Sequence, residues 1–320
     1  MRVLVTGGAG YVGSNLVDTL LAECHEVWVV DNLFTGKLEN IQHLLGDKRF
    51  HFHQDTILKE ALMDRLVAGV DLVYHLAAVV GVKYVVEDPL HCIKVNVGGT
   101  EVVLERAFAH GKRVVVVSSS EVYGKSPAVP YAEGNDLLLG PTTAPRWSYA
   151  LAKALDEHLA LAYAQKGLAV SAVRYFNSYG PRLDPNGYGS VVARFITQAL
   201  AGGPLTVHGD GQQSRCFTYV ADTVRGTILA GTVPEAVGQV FNLGGNREMR
   251  IAELAQLIRA RVGSDAEIVH VPYCEVLGPN FEDPPRRVPD TRRAAEVLGF
   301  RAETPLEEGL EKTIRWFREN

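Results

Sequence analysis

The chain is poor in cysteine: its 320 residues include only Cys24, Cys92, Cys216 and Cys274, which lie far apart and form no CxxC pair. This pattern supports neither a disulfide framework nor a zinc knuckle, and we expect a reducing, cytoplasmic compartment. The chain also lacks a marked positive charge, because 32 lysines and arginines and 37 acidic residues give a net charge of −5. Since nucleic-acid binding normally needs a clustered basic face, we expect no nucleic-acid partner.

Long apolar runs are scarce too, and no targeting segment is expected. Asp71, His75 and Lys83 interrupt the apolar run from Val70 to Val86, so we expect no membrane span. The first two residues lead directly into a short apolar strand, so we expect no signal peptide. A chain of this length lies near the size at which one domain becomes two, so we expect a main domain with a smaller one attached.

A glycine-rich turn follows the N-terminal strand. Gly7, Gly10 and Gly13 stand between this strand and a predicted helix. Gly7 permits the tight bend, Gly10 lets the backbone approach a pyrophosphate, and Gly13 lets the helix pack closely. We therefore predict that the turn, together with Tyr11 and Val12, binds a dinucleotide.

An acidic residue ends the second predicted strand. Asp31 lies 18 residues after Gly13 (31 − 13), where such folds place an acid on the adenosine ribose. A carboxylate there repels a 2′-phosphate, so NAD is favoured over NADP. Further residues predicted to bind the cofactor also follow strands: Asn32, Asp55, Thr56, Leu76, Ala77 and Ala78. Tyr149 and Lys153, later in the chain, complete the predicted set of cofactor contacts.

Two histidines, His51 and His53, alternate on the third predicted strand. This spacing could suggest a metal site, but no acid or cysteine partner is evident nearby. We therefore predict no metal and interpret them as ordinary strand histidines.

Strand and helix signals alternate through the first half of the chain and predict an α/β fold, a Rossmann-like doubly wound parallel sheet. Its ligands should lie at the carboxyl ends of the strands. Ser119 follows the fifth strand, and Tyr149 and Lys153, four residues apart, share one face if their segment is helical. A free phenol has a pKa near ~10. The Lys153 ammonium and a bound cationic nicotinamide could together lower it, so that the three residues form a proton-transfer triad.

The amino-acid composition changes after the sixth predicted strand. Prolines, glycines and arginines become frequent, and short helices, one from about Ser190 to Ala201, alternate with short strands. We predict an NAD-binding domain over residues 1–175, with later returns near 216–245, and a smaller, interleaved substrate domain over 176–320.

Separated arginines on loops mark this second part, among them Arg182, Arg215 and Arg287. The guanidinium fork binds a diphosphate or carboxylate at two points, which favours substrate binding. The alternative is that these arginines lie on the surface, where they only keep the loops hydrated and bind no ligand.

The runs TGGAGYVG, HLAA, SSSEVYG, YALAK, RYFNSYGPR and PRRVPD together resemble the extended short-chain dehydrogenase/reductase family that acts on nucleotide sugars. The resemblance implies a retained NAD, an active site of Ser119, Tyr149 and Lys153, and transient oxidation at sugar C4. It also implies a homodimer through helices at about 91–110 and 147–165.

The same resemblance implies where the substrate lies. Residues matching Asn177 and Arg215 bind the nucleotide diphosphate in this family. Val191 and the strand around Val207 match positions that flank the base, which is usually uracil, so the resemblance implies a UDP-sugar.

Glu121 is the residue that separates the branches of this family. Simple 4-epimerases usually lack an acid there, and the 4,6-dehydratases carry Asp-Glu where this chain has Ser120-Glu121. UDP-glucuronate decarboxylases look like Ser-Glu, as here, and we place Ser120 among the substrate-binding residues. The segment 140–147 is similar to that of the decarboxylase domain of aminoarabinose synthesis, whose functional arginine maps onto Arg287. The strand exit at residues 77–81 departs from the HLACPASP run of the xylose-forming decarboxylases.

Two enzymatic hypotheses follow from the resemblance. In the first, the chain decarboxylates UDP-glucuronate through a 4-keto sugar, and Glu121 and Arg287 position the carboxylate or manage the C5 proton. In the second, the ketone rotates and takes the hydride back on its other face, which gives a 4-epimerase of UDP-glucose or UDP-glucuronate. A third reading is a non-catalytic NAD-binding protein on the same fold, against which the intact Ser119, Tyr149 and Lys153 argue.

Overall fold

The computed structural model describes residues 1–185, 191–277 and 283–320. The strands are β1 (Arg2–Thr6), β2 (Glu26–Asp31), β3 (Phe50–Gln54), β4 (Leu72–His75), β5 (Arg113–Ser119), β6 (Val170–Tyr175), β7 (Ser178–Tyr179), β8 (Leu205–His208), β9 (Ser214–Cys216), β10 (Thr218–Tyr219), β11 (Val240–Leu243), β12 (Glu248–Arg250), β13 (Ile268–Val271) and β14 (Arg286–Arg287).

The helices alternate with these strands. They are α1 (Tyr11–Ala22), α2 (Glu60–Gly69), α3 (Val82–Glu87), α4 (Pro89–Ile93), α5 (Gly99–Ala109), α6 (Trp147–Gln165), α7 (Val191–Leu200), α8 (Val220–Thr232), α9 (Ile251–Val262), α10 (Tyr273–Leu277), α11 (Arg292–Leu298) and α12 (Leu306–Glu319). A π-helical segment, Lys94–Gly98, joins α4 to α5, and the turn Ser120–Tyr123 is a 3₁₀ helix. The helix predicted from about residue 190 is described from Val191 onward, and Ser190 lies outside the described residues.

Seven parallel strands form the central sheet in the order β11-β6-β5-β4-β1-β2-β3. This confirms the predicted doubly wound α/β fold. The strands after β1 are added first on one side of it, as β2 and β3, and then on the other side, beginning with β4. Such a switch in strand order opens a crevice at the carboxyl ends of the strands. β11 joins the edge of this sheet late in the chain.

Side chains of successive strand residues point to opposite faces of the sheet, and both faces are covered. In β1, Val3 and Val5 pack with Leu16 of α1 in one buried cluster, whereas Leu4 packs with Met63 of α2 in the other. Strands buried on both faces read as continuous apolar runs, which is why this sheet was visible in the sequence.

Shorter sheets follow in the second part of the chain. β9 is the middle strand of one, between antiparallel β12 and parallel β14, and β8 pairs with β13. The pairing of β14 with β9 places Arg287 directly opposite Arg215. In the described parts of the chain, no helix has the length and apolarity needed to cross a membrane.

Candidate active site

A cleft of about 390 Å³ lies at the carboxyl ends of the central strands. Thirteen of the fourteen residues predicted to bind the cofactor line it: Gly7, Gly10, Tyr11, Val12, Gly13, Asp31, Asn32, Asp55, Thr56, Leu76, Ala77, Ala78 and Tyr149. The fourteenth, Lys153, lies one helical turn beyond Tyr149. The topology thus brings together residues at the carboxyl ends of β1, β2, β3 and β4 with Tyr149 of α6.

At two positions of the glycine turn, the chain's own backbone packs too closely for any side chain. Gly7 has φ +73°, and a Cβ there would lie 2.7 Å from the backbone nitrogen of Ala77. A Cβ on Gly13 would lie 2.1 Å from the carbonyl oxygen of Gly7. Helix α1 begins directly after Gly10, so its free amide groups face the cleft. The turn therefore has the shape and polarity that dinucleotide phosphates require.

Asp31, the last residue of β2, is held against this turn. Its carboxylate accepts hydrogen bonds from the amides of Ala9, at 3.0 Å, and Leu33, at 2.8 Å. Burial raises the pKa of Asp31, although both amides oppose that effect. The acid thus has a fixed position at the end of the strand, as ribose binding would need.

Acidic and basic side chains in and after β3 have partners of the opposite kind, and one of these contacts corrects the sequence interpretation. Asp55 forms an ion pair with Lys59 at 2.6 Å, and the hydrogen bond from Lys59 lowers the pKa of Asp55. The expectation that no acid lies near His51 was wrong, because Nε2 of His51 lies 2.9 Å from Glu26 on the neighbouring strand β2.

Ser119, Tyr149 and Lys153 lie where two elements meet. Ser119 ends β5, and Tyr149 lies in the first turn of α6, where its hydroxyl bonds the Ser119 side chain. Lys153 follows one turn later, with its ammonium 3.1 Å from the carboxylate of Asp156. The structure therefore brings the three residues of the predicted triad together.

The pKa of Tyr149 is raised in the chain alone. Burial raises it above its ordinary value and the Glu121 carboxylate raises it further, while the hydrogen bond with Ser119 lowers it. The net effect of the chain's own residues is thus a raised pKa of Tyr149, and the predicted lowering by Lys153 together with a bound nicotinamide stays a prediction. The physical reason for the raised pKa is that desolvation disfavours the phenolate, and Lys153 already has a carboxylate partner.

Glu121 lies between two guanidinium groups. Nη1 of Arg287 lies 2.7 Å from one carboxylate oxygen, and Nη2 of Arg146 lies 3.1 Å from the other. Burial alone would raise the pKa of Glu121, but the two arginines outweigh it and lower the pKa to about 2. Of the two roles predicted for Glu121, positioning suits such an ionised group, whereas holding a proton at neutral pH does not.

Arg146 is a residue that the sequence analysis missed. It precedes α6 directly, is buried, and stacks on Trp147 with 4.6 Å between the guanidinium carbon and the ring centroid. The segment 140–147 was noted for its likeness to a decarboxylase, yet nothing in its pattern marks this arginine. Its proximity to Glu121 appears only in the folded chain.

The predicted substrate residues have varied surroundings. Arg215 is buried beside Arg287, and its guanidinium lies 2.8 Å from Asp283. Asn177, with φ +39°, donates from its side-chain amide to the carbonyl oxygen of Cys216 at 3.1 Å. The guanidinium of Arg182 lies 2.7 Å from Asp18 of α1.

The remaining predicted substrate residues are apolar or small. Val207 is fully buried in β8, Val191 begins α7, and Ser120 is buried in the 3₁₀ turn after β5. Neither their roles nor those of the three polar residues above are tested by the geometry, and they stay predictions.

A family model described as "NAD dependent epimerase/dehydratase family" matches residues 3–244. A UDP-N-acetyl-α-D-glucosaminuronate decarboxylase from Bacillus cytotoxicus is 44% identical over 99% of this chain and 98% of its own length. A UDP-glucuronic acid decarboxylase from Xenopus tropicalis is 40% identical over 99% of this chain and 72% of its own length.

Solved structures show the same architecture. A UDP-glucose 4-epimerase from Thermotoga maritima, solved with UDP-glucose, superposes with a TM-score of 0.90 and is 34% identical. The superposition covers 100% of this chain and 99% of that one.

Proposed function

Because the chain belongs to the NAD-dependent epimerase/dehydratase family, we propose that it is a nucleotide-sugar decarboxylase acting on a UDP-hexuronate. The first choice of substrate is UDP-glucuronate, as for the Xenopus relative, and its 2-acetamido analogue, named for the Bacillus relative, is the second. The observation that carries the proposal is the placement of Arg287 and Arg146 around Glu121, whose charge acts on Tyr149. Guanidinium groups at this point suit a sugar carboxylate.

NAD, the cofactor of this family, fits the cleft. Gly10 lets the backbone approach its pyrophosphate, Gly7 and Gly13 allow the close packing of the turn, and the fixed carboxylate of Asp31 suits a ribose diol. When bound in this cleft, NAD would supply the hydride acceptor for sugar C4 and the hydride donor for the return step. The other lining residues predicted from the sequence keep their roles as cofactor contacts.

The chain's own side chains handle the protons and the charge. Tyr149 takes the proton of the C4 hydroxyl, and Ser119 holds the same oxygen. The product is a β-keto acid, so the bond from C5 to its carboxylate can break, with the electron pair passing to the C4 ketone and carbon dioxide leaving. C5 then takes a proton. Arg287 and Arg146 orient the carboxylate, and the ionised Glu121 keeps the two guanidinium groups in place.

The second part of the chain supplies the remaining substrate contacts in this proposal. Arg215 and Asn177 bind the diphosphate, and Val191 and Val207 flank the base. Arg182 keeps its proposed substrate role, although its guanidinium also pairs with Asp18. The division into an NAD-binding domain over 1–175, with returns near 216–245, and a substrate domain over 176–320 is part of this proposal, and the placement of β8 and β9 in small sheets apart from the central one supports it.

A 4-epimerase is the second candidate function. The Thermotoga epimerase, which superposes over the full chain, favours it. In an epimerase, a substrate carboxylate would have to lie where its bond to C5 does not align with the ketone. The reaction would then be an isomerisation, whereas the first candidate is a carbon–carbon lyase.

We also propose a homodimer in the cytoplasm. The exposed leucines of α6, Leu151 and Leu155, support pairing of the helices predicted for the dimer. The four cysteines are free thiols, which supports a reducing compartment.

Product analysis tests the proposed function. The purified protein with added NAD is incubated with UDP-glucuronate, UDP-N-acetylglucosaminuronate and UDP-glucose, and products are resolved by mass spectrometry and NMR. We expect one hexuronate to lose the mass of one carbon dioxide, and Tyr149→Phe to abolish this loss. An epimer of unchanged mass would support the second candidate instead, and no product from any of the three sugars would contradict both.

A further inference from the structure

Asp156 is a fully buried carboxylate on α6, the helix that carries Tyr149 and Lys153, and no step described so far uses it. Its exposure is 0% and that of Lys153 is 3%. The Oδ2 atom of Asp156 lies 3.1 Å from the Lys153 ammonium. Because a buried carboxylate loses its hydration and needs a partner, the two side chains form one charge pair inside the protein.

The next residue, Glu157, has a different partner. It accepts hydrogen bonds from Arg174 at 2.6 and 2.9 Å and one from the Ser118 hydroxyl. Arg174 therefore compensates the charge of Glu157, whereas Lys153 compensates the charge of Asp156. Two adjacent carboxylates on one helix thus belong to two separate ion pairs.

Several elements contribute the surroundings of this pair. The titratable or polar groups that act on Asp156 or Lys153 are Tyr149 and Glu157 of α6, Thr100 of α5, Cys92 of α4 and His75 of β4. Burial lowers the pKa of His75 to about 3 and raises that of Cys92 to about 11, so both are neutral near pH 7. Burial also raises the pKa of Asp156, which Lys153 and Thr100 oppose.

The charge of Asp156 reaches Tyr149. An ammonium near a phenol favours the phenolate, and a carboxylate bound to that same ammonium cancels part of the effect. Burial and the Glu121 carboxylate are the larger causes of the raised pKa of Tyr149, and Asp156 adds to them. A YxxxK spacing alone would suggest a full positive charge beside the tyrosine, and the structure shows a compensated one.

We propose that Asp156 is a positioning residue that holds the Lys153 ammonium and, by cancelling part of its charge, sets the pH range in which Tyr149 accepts the substrate proton. The inference rests on the acid–base role of Tyr149 in the proposed function. Asp156 acts through Lys153 and is not itself a catalytic residue.

The first test is the pH profile of kcat/KM for wild type, Asp156→Asn and Asp156→Glu. Asparagine keeps the shape but removes the charge, so the ammonium acts on Tyr149 undiminished. We expect the acid limb to move to lower pH by at least about 1 unit in Asp156→Asn, the lower end for a charge within a few ångströms. Asp156→Glu keeps the charge and is expected to restore the wild-type limb. An unmoved limb in Asp156→Asn overturns the inference.

Glu157→Gln is the matched control, since it removes one buried negative charge at the next position. Its charge belongs to the Arg174 pair, so we expect lower thermal stability but an unmoved acid limb. Equal shifts in both variants would show a general effect of charge on α6 and would overturn the specific role of the Lys153 pair. Should Asp156→Asn not fold, Asp156→Ser removes the same charge and leaves room for water beside the ammonium, and the same shift is expected.

A second readout needs no sugar. Ultraviolet absorbance follows phenolate formation in the NAD-loaded enzyme, and subtracting the same titration of Tyr149→Phe variants isolates Tyr149. We expect the Tyr149 step at lower pH in Asp156→Asn than in wild type, and a step at the same pH overturns the inference. If the step moves although no UDP-sugar is turned over, the proposed function fails while the inference stands.

Discussion

Glu121 and Glu248 both have a pKa of about 2, but for different physical reasons. Glu121 would have a raised pKa from burial, and two buried arginines, Arg287 and Arg146, overcome that effect. The pKa of Glu248 is lowered mainly by a hydrogen bond from Arg286, whose side chain is 54% exposed. Removing the Glu121 carboxylate should therefore leave two buried guanidinium groups without a counter-charge. Removing the Glu248 carboxylate should leave only the Arg286 guanidinium, which water can solvate.

We expect Glu121→Gln to lower the free energy of unfolding by about 2 kcal/mol at pH 7, because Arg287 and Arg146 then lose their counter-charge beside Arg215. The folded pKa of Glu121, about 2, lies below its ordinary 4.5. The stabilisation from the charged carboxylate is thus fully present above the ordinary pKa and is lost as the pH falls towards the folded one. Urea unfolding of wild type and variant at pH 7, 4 and 3 (roughly spanning this window) should show the gap closing.

Glu248→Gln is the control for this prediction. Because the Arg286 side chain stays hydrated, we expect a loss below about 1 kcal/mol at pH 7. Equal losses in the two variants, or a Glu121→Gln gap that persists at acid pH, would contradict the argument that burial of the arginines decides the magnitude.

What the sequence could not predict at the residue scale depends on contacts between distant positions. Arg146 lies 25 residues from Glu121, and Arg287 lies 166 residues away. A family resemblance indicated Arg287, whereas nothing local distinguished Arg146 from a solvated arginine. The raised pKa of Tyr149 in the chain alone depends first on burial and then on Glu121, with Asp156 adding to them, and none of these can be read from a YxxxK spacing. The predicted lowering by Lys153 together with a bound nicotinamide stays a prediction.

At the scale of elements, the sequence predicted those strands and helices that have a strong local pattern of apolar residues. The apolar run at Val114–Val117 predicted a buried strand, and β5 contains it. The two-residue strand β14 exists only through its pairing with β9, so its sequence alone carries no strand signal. The π-helical segment was also missed, since its pattern continues that of α5. Its Asn96 bonds both backbone polar groups of Val79, at 2.7 and 3.2 Å, and so fixes a lining residue of the cleft.

The junction of β1 and α1 gives a test at this scale. In Gly13→Ala the new methyl would meet the Gly7 carbonyl oxygen at 2.1 Å and the Gly8 Cα at 2.9 Å, and backbone atoms cannot yield as a side chain can. We expect a loss of about 1–3 kcal/mol in the free energy of unfolding, together with weaker NAD binding. Urea unfolding and an NAD titration measure the two effects.

Gly46→Ala provides the matched control, because a Cβ at Gly46 meets nothing within 4 Å. Its unfolding free energy should stay within about 0.5 kcal/mol of wild type, with NAD binding unchanged. Indistinguishable results for the two variants would show that α1 moves freely relative to the turn, contrary to the close packing inferred here.

At the scale of the whole molecule, a group of exposed apolar side chains on neighbouring helical segments remains to be explained. Its members on α4, α5 and α6 are Leu90, Ile93, Phe108, Leu151 and Leu155. Leu151 and Leu155 are 52% and 43% exposed and lie four residues apart, on one face of α6. Exposed apolar patches on a folded protein mark interaction surfaces, which agrees with the proposed homodimer.

The double variant Leu151→Asp/Leu155→Asp tests the proposed dimer. Both side chains are already exposed in the single chain, so the monomer should fold, whereas dimerisation would bury unpaired carboxylates at a cost of about 3 kcal/mol or more. We expect the dimer dissociation constant to rise at least about 100-fold, so that light scattering after size exclusion gives twice the chain mass for wild type and the chain mass for the variant. Val237→Asp changes an exposed apolar residue outside these helices and should stay dimeric. A monomeric wild type, or a double variant that elutes as a dimer, would show that these helices do not form the interface.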